Sequence, residues 1–208
     1  EIYYIFNSPS VGKPAWMKYS SPIEISQSEK ISAYVKHNNK NSTSVSAQFF
    51  KKPNNFAIDI KSEYNPQYHA GGKDALLDGI NGDENWRKGE WQGYQGQDFE
   101  CVIDMKTASE ISSINSNYLQ DTRAWIVMPT KVAYYISEDN INFTKVGSVE
   151  NTLDPKEYEV KVKPFALQFN PKNARYVKVI ATNFGKLPEW HQGAGFDAYI
   201  FIDEITVK

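Results

Sequence analysis

The 208-residue chain is poor in cysteine and carries only a small excess of negative charge, a formal net charge of −2. Its one cysteine, Cys101, excludes an intrachain disulfide, and its place in an apolar, strand-like segment predicts a buried side chain rather than a reactive thiol. Lys and Arg number 23 against 25 Asp and Glu, which argues against the strongly basic surface typical of nucleic-acid binding. No apolar run approaches the roughly 20 residues that span a bilayer, so we expect no membrane insertion.

Aromatic residues, by contrast, are abundant. Five Trp, thirteen Tyr and eleven Phe make up 14% of the chain, and such side chains pack well on the pleated surface of a β-sheet. They also suit the stacking of sugars, and composition alone leaves both uses open. The chain opens on Glu1-Ile2-Tyr3-Tyr4, which has the pattern of a strand interior. We therefore expect the sequence to be part of a longer protein.

The polarity pattern predicts strands throughout and almost no helix. Apolar residues alternate with polar ones or form short runs, which clusters of Gly, Pro, Asn and Asp separate. The polar residues 137–140, followed by Phe143, predict a hairpin turn. Many short strands without interleaved helices indicate an all-β fold, a β-sandwich or jelly roll. The predicted strands are residues 2–6, 31–36, 45–50, 56–61, 99–105, 111–119, 131–137, 144–149, 158–162, 166–169, 174–181 and 199–207.

A polar, proline-containing segment at residues 51–55 predicts a link between two domains. We therefore divide the chain into a first domain, residues 1–52, and a second domain, residues 53–208. The first is short for a free-standing sandwich, whereas the second has an ordinary size for one jelly roll.

Several motifs of the second domain resemble those of discoidin domains, also called factor V/VIII type C domains. In chain order they are residues 75–79 (Ala-Leu-Leu-Asp-Gly) with Trp86 and Trp91, the strands 99–105 and 132–136, and the segments 174–179 and 201–205. The resemblance covers about residues 56–208 and implies a galactose-binding-like jelly roll. Many bacterial discoidin domains belong to carbohydrate-binding module family 32 and are appended to secreted glycosidases. The resemblance to discoidin domains therefore implies a glycan ligand and a secreted, periplasmic or cell-surface bacterial protein.

Further stretches narrow this resemblance. Residues 86–94 and 185–191 resemble a subgroup found in Bacteroides-type polysaccharide-degrading enzymes. Part of the first domain is similar to the small Fn3-like domain that follows the catalytic barrel in some chitobiases and β-hexosaminidases, here beginning partway into that domain. Together the two domains resemble the C-terminal region of a family 20 glycoside hydrolase, so the resemblance implies the protein's own catalytic domain as a partner. The Fn3-like stretches are residues 2–4, 7–9 (Asn7-Ser8-Pro9), 19–23 and 31–35.

A catalytic role for Asp203-Glu204 has to be considered, because family 20 active sites contain an Asp-Glu dyad. The pair lies within an apolar strand pattern, and neighbouring residues of a strand point to opposite faces of the sheet. Glycosidases need two carboxylates that flank one glycosidic bond. The sequence also lacks a phosphate-binding loop, zinc-ligand spacing and the HExxH motif. We therefore predict that this part of the protein is not an enzyme.

Residues 78–83, Asp-Gly-Ile-Asn-Gly-Asp, form a tight loop rich in the oxygen ligands that calcium prefers. Glu204 lies on the apolar face of its strand, which predicts a partly buried carboxylate that needs a partner. In discoidin-type sugar modules, a structural calcium commonly ties such a loop to a Glu near the C-terminus. The resemblance thus implies a calcium ion bound by Asp78, Asp83 and Glu204, with Asn81 as an alternative to Asp83. The alternative interpretation is that residues 78–83 form only a turn and that Glu204 pairs with a Lys.

Three loop segments combine aromatic rings with planar polar groups, the mixture by which proteins bind pyranoses. In a jelly roll such loops gather at the ends of the sandwich. In galactose-binding members of the family, an Arg near Arg123 and a Trp near Trp91 contact the sugar. A His often stands where this chain has Arg87, which argues against galactose itself. The predicted sugar-binding residues are Arg87, Trp91, Gln120, Arg123, Trp125 and His191.

Two functions are therefore open. One is a non-catalytic carbohydrate-binding region that holds a secreted glycoside hydrolase on its substrate. The other is a pair of purely structural accessory domains that pack against the catalytic barrel and bind no sugar. Adhesion to membranes or proteins fits less well, because animal discoidin domains use exposed apolar spikes and intradomain disulfides.

Overall fold

The computed structural model describes residues 1–7 and 15–208 of the chain, so Ser8 and Pro9 of the predicted Fn3-like stretches lie outside the described residues. Two compact units are present, Glu1–Lys52 and Pro53–Lys208. The described residues form strands, turns and three short 3-10 helices, which confirms the all-β prediction. No helix in this part of the chain is both long and apolar enough to cross a membrane.

The first unit, as far as it is described, is a single antiparallel sheet. Its central strand pairs with the first strand of the chain on one side and with the fifth on the other. One face is apolar and partly open to solvent, as Val35 and Val45 show with 47% and 69% exposure. The identity of this unit as an Fn3-like domain stays a prediction. The strands are β1 (Ile2–Phe6), β2 (Met17–Lys18), β3 (Glu29–His37), β4 (Lys40–Asn41) and β5 (Val45–Phe49).

The second unit is a β-sandwich built around two strands of 22 residues each, β8 (Phe99–Gln120) and β11 (Lys161–Thr182). The prediction of several shorter strands in place of each is wrong, because polar residues interrupt the apolar pattern without ending the strand. Gln92–Gln95 is a further strand that the pattern did not predict. The strands are β6 (Ala57–Ile60), β7 (Gln92–Gln95), β8 (Phe99–Gln120), β9 (Lys131–Ser137), β10 (Thr144–Glu150), β11 (Lys161–Thr182) and β12 (Tyr199–Val207).

The two long strands pair with each other and take part in both layers. In one layer, the first half of β8 pairs with β6 and with the second half of β11. The second half of β11 also pairs with β9, and β10 follows β9 at the edge. The second half of β8 pairs with the first half of β11 and with β12, which pairs with β7. Shifts in the β8–β11 register, between Gln168 and Lys172 and between Ala174 and Tyr176, accompany the change of layer. One hydrophobic core joins both layers.

Two sequence predictions concern this core and its edge. Cys101 is completely buried, as expected, and burial raises the pKa of its thiol. The predicted turn at residues 137–140 joins β9 to β10, with Asn140 in the left-handed conformation at φ 63°. There the Asp139 carboxylate accepts hydrogen bonds from the backbone N–H groups of Ile141 and Asn142 at 2.9 and 2.8 Å. Both predictions are confirmed.

A buried hydroxyl network ties the two layers together. Tyr134 lies on β9, and its hydroxyl donates to the carbonyl of Phe165 on β11 in the opposite layer. The same hydroxyl is 2.8 Å from the Ser116 hydroxyl on β8. Because all three residues are fully buried, no water replaces a partner that is lost.

We expect Tyr134→Phe to lower the free energy of unfolding by about 1–3 kcal/mol, since it leaves a buried carbonyl without its donor. Urea denaturation measures this change. The matched control is Tyr135→Phe, on the same strand but partly exposed, where we expect a change within about 0.5 kcal/mol. Equal effects of the two variants would contradict the role of the Tyr134 network.

Candidate functional site

The loop between residues 78 and 91 carries most of the candidate site. It follows the 3-10 helix Lys73–Leu77, which buries Leu76 and Leu77 in the core. A second 3-10 helix, Trp86–Lys88, ends at Gly89, whose φ of 95° lies in the left-handed region that favours glycine. Trp91, at the end of the loop, is 1% exposed and packs with Leu119, Ile126 and Phe201. Both ends of the loop are thus fixed by burial.

A bulge in the last strand fixes the middle of this loop. The pairing of β12 with β8 shifts between Asp203 and Ile205, and Glu204 takes a φ of 38°. The regular alternation of faces fails at a bulge, so both carboxylates meet the same loop. Glu204 Oε2 accepts the N–H of Gly79 at 3.0 Å, and Asp203 Oδ2 accepts the N–H of Gly82. The expectation that these two side chains point to opposite faces is therefore wrong.

These carboxylates lie in a locally acidic environment. Burial raises the pKa of Asp203 to about 7 and that of Glu204 to about 7, and the charge of Asp78 acts on both in the same direction. Glu90 also raises the pKa of Asp203, and its own Oε2 is buried without a hydrogen-bond partner among the described residues. Within residues 1–7 and 15–208, no Lys or Arg forms an ion pair with Asp203 or Glu204.

The predicted calcium ligands are only partly brought together. Asp78 and Glu204 lie in this cluster, and Asp78 Oδ1 accepts the N–H of Ile80 at 2.8 Å. Asp83 instead forms an exposed ion pair with Lys88. In the described part of the chain, no three His, Cys, Asp or Glu side chains form a group that could hold a metal ion by themselves. A cation here would depend on main-chain carbonyls as well, and Asp203 is the carboxylate that sequence analysis did not include.

Three of the predicted sugar-binding residues are enclosed. Besides Trp91, whose indole N–H donates to the carbonyl of Asp83 at 2.9 Å, Gln120 is 0% and His191 4% exposed. The Gln120 amide donates to the carbonyl of Asp154 at 2.9 Å, and His191 Nε2 lies 2.6 Å from the carbonyl of Thr122. Each of them has a side-chain nitrogen within hydrogen-bond distance of a backbone carbonyl of the protein. Gln120 and His191 thus offer almost no surface to a ligand, whereas Trp91 also lines the open cleft described next.

Arg87 lies at an open cleft of about 520 Å³. Its guanidinium carbon is 4.0 Å from the centroid of the Trp86 ring, and the indole N–H of Trp86 donates to Asp121 at 3.0 Å. Tyr68 meets Trp86 edge-on, with ring centroids 5.8 Å apart. The predicted sugar-binding residues included neither Tyr68 nor His69. The cleft is lined by Gln67, Tyr68, His69, Ala70, Trp86, Arg87, Gly89 and Trp91.

Arg123 and Trp125 do not line this cleft. Arg123 lies in a different hollow of about 570 Å³, with its guanidinium carbon 5.3 Å from the centroid of the Tyr158 ring. Trp125 has a φ of 67° and stacks on Phe196 at a centroid distance of 5.1 Å. Phe196 is 60% exposed. Of the predicted set, the exposed Arg87 and Arg123 thus lie in different hollows, and the partly exposed Trp125 lines neither of them.

The buried carboxylates predict a specific pH dependence in the presence of a chelator. In the unfolded chain they titrate near pH 4, so between about pH 4 and 7 the folded protein binds more protons and their contribution to stability falls as pH rises. We expect Asp203→Asn to gain stability relative to wild type from pH 4 to pH 7, as measured by urea denaturation. The control is Asp104→Asn.

In this control, Arg175 holds the pKa of Asp104 at about 2. The Asp104 carboxylate therefore stabilises the fold above about pH 4 and loses that effect as the pH falls towards 2. Its replacement is expected to cost stability above pH 4. A stability difference between Asp203→Asn and wild type that does not change with pH would contradict the burial of this carboxylate.

Comparison with known proteins identifies the family. Residues 57–200 match the model of the F5/8 type C domain, whereas no curated protein matches the chain. A CBM32 module from Clostridium perfringens, solved in complex with GalNAc-β-1,3-galactose, is 22% identical over 74% of this chain and 94% of that chain, with a TM-score of 0.46. CBM32-3 from a family 31 glycoside hydrolase of the same organism is 20% identical over 73% and 88%, with a TM-score of 0.47. A chitosan-binding module from a chitosanase/glucanase of Paenibacillus sp. IK-5 is 13% identical over 74% and 96%, with a TM-score of 0.46. The model match covers more than half of the chain, which therefore belongs to the F5/8 type C, or discoidin, family.

Proposed function

We propose that the second unit is a non-catalytic carbohydrate-binding module and that its ligand occupies the cleft at Arg87. The observation that carries this proposal is the composition of the cleft. The partly exposed rings of Tyr68 and Trp86 stand beside the exposed side chains of Arg87 and His69. Aromatic surface for the apolar side of a pyranose, combined with a few directional donors, is the usual composition of a sugar site.

The geometry supports binding of modest strength. The cleft is open to solvent, so a sugar bound there desolvates few atoms, and we expect dissociation constants of roughly 10 µM to 1 mM. The cleft is preformed, because Trp86 is fixed by Asp121 and Trp91 by the carbonyl of Asp83. Little conformational entropy is then lost when the ligand binds.

We also propose that the module belongs to a secreted bacterial glycoside hydrolase and holds that enzyme on its substrate. Support comes from the resemblance of both domains to the C-terminal region of family 20 enzymes of the Bacteroides type. In this proposal the catalytic domain is a partner within the same protein. A purely structural role against the catalytic barrel is the second candidate, favoured by the burial of Trp91, Gln120 and His191.

We expect Arg87→Ala to weaken glycan binding at least tenfold, because it removes the guanidinium at the cleft. Titration calorimetry with the best ligand from a glycan array measures this, and the array includes GalNAc-β-1,3-galactose and chitosan fragments. Arg123→Ala is the matched control, since that side chain lies in the other hollow, and its affinity should stay within about twofold of wild type. Binding to no glycan at all by the folded protein would favour the structural role.

For calcium, we propose that an ion is held between the loop 78–83 and β12. Asp78 and Glu204 would be ligands as the resemblance implies, and main-chain carbonyls would complete the shell. The chemistry of these side chains supports a hard cation. Buried carboxylates lie close together here, and no Lys or Arg of the described residues forms an ion pair with Asp203 or Glu204. The ion would supply positive charge that keeps these carboxylates ionised.

We expect millimolar calcium to raise the melting temperature by several degrees over that in EDTA, since a ligand that binds only the folded state stabilises it. Glu204→Gln should remove most of this shift. Asp139→Asn is the control, because Asp139 lies in the β9–β10 turn, and it should leave the calcium shift unchanged. Equal melting temperatures in calcium and EDTA would contradict the proposal.

A further inference from the structure

The guanidinium of Arg87 is free of internal acceptors. It lies over Trp86, and within residues 1–7 and 15–208 no hydrogen bond or ion pair joins Arg87 to another residue. Its neighbour Lys88, in contrast, is paired with Asp83. The contact with the indole restricts the side chain, so that less entropy is lost when its N–H groups bind a ligand. Five donors are therefore available at the cleft.

His69 adds a donor to the same cleft. Its Nδ1 accepts the N–H of Gly71 at 3.0 Å, which places the proton of the neutral ring on Nε2. The side chain is exposed and lines the cleft with Arg87. The two basic side chains in the lining thus both present N–H groups.

Among the described residues, no acidic group near the cleft forms an ion pair with Arg87. The described residues that line the cleft include no Asp or Glu. Asp121 accepts the indole N–H of Trp86, and the charge of Glu90 acts on Asp203 in the carboxylate cluster. A neutral sugar would leave the Arg87 charge without a counter-ion, whereas an oxyanion would pair with it through two parallel hydrogen bonds.

We propose that the cleft selects glycans that carry an oxyanion, either the carboxylate of a uronic acid or a sulfate ester. The oxyanion binds the guanidinium of Arg87 and the Nε2–H of His69, while the pyranose lies against Tyr68 and Trp86. This inference rests on the proposed function and deepens it, because it names the chemical class of the ligand.

Titration calorimetry at low salt tests the selectivity. The probes are a galacturonic acid trisaccharide, a 6-sulfated galactoside and the corresponding neutral galactosides. We expect at least one anionic probe to bind about tenfold more tightly than its neutral counterpart, and the comparison of the two anionic probes identifies the oxyanion. The preference should shrink at high salt, since an exposed ion pair is screened.

Variants of Arg87 and Arg123 test which side chain produces the preference for an anionic ligand. Arg87→Gln should remove the preference for the anionic probe, and Arg87→Lys should keep only part of it, because a lysine lacks the planar fork. Arg123→Gln is the matched charge control and should retain the full preference. Circular dichroism and melting temperature confirm that each variant folds.

The outcomes separate this inference from the proposed function. Equal binding of neutral and anionic sugars, or a preference that survives Arg87→Gln, overturns the inference while leaving carbohydrate binding intact. Failure to bind any glycan overturns both. Loss of the preference in Arg123→Gln but not in Arg87→Gln would move the site to the other hollow and also overturn the inference.

Discussion

The contact between the bulge in β12 and the loop 78–83 is the interaction on which the candidate site depends. Asp203 and Glu204 accept N–H groups from Gly82 and Gly79, so the last strand holds the loop through buried, charge-assisted hydrogen bonds. A Cβ at Gly82 would lie 2.5 Å from the Trp91 ring. The loop can therefore approach the sandwich this closely only with glycine at that position.

The same contact links the charge of the cluster to the shape of the cleft. From Gly82 the chain runs to Asp83, whose carbonyl accepts the Trp91 indole N–H, and then to Trp86 and Arg87 at the cleft. Buried carboxylates are costly unless they are protonated, hydrogen-bonded or paired with a cation. A proton or a cation bound at the carboxylate cluster would therefore affect the loop that forms one wall of the cleft, although the cluster itself would not contact a sugar in the cleft.

Sequence patterns predicted most strands because alternation of apolar and polar residues reports which face of a strand is buried. The pattern fails at Glu204, since a bulge depends on pairing with a partner strand and not on local composition. It fails for β8 and β11 for a related reason. A strand that passes from one layer of the sandwich to the other has an exposed middle part, and there most of its residues are polar, as in residues 106–110, where only Ala108 is apolar.

The site residues were harder to predict because a polar loop residue can face either solvent or another loop. Gln120 and His191 bind backbone carbonyls of Asp154 and Thr122, which are distant in sequence, so their burial follows only from the folded arrangement. Arg87 and Arg123 show that the surroundings of charged loop residues are equally hard to predict from the sequence. Both lie beside an aromatic ring, but Arg123 shares its hollow with Glu84, Glu157 and Glu159, whereas the cleft at Arg87 offers no carboxylate among its described lining residues. That hollow also holds Lys156 and Lys161, so Arg123 lies among charges of both signs, whereas Arg87 lines a cleft without a carboxylate among its described residues, and only the folded arrangement shows this difference.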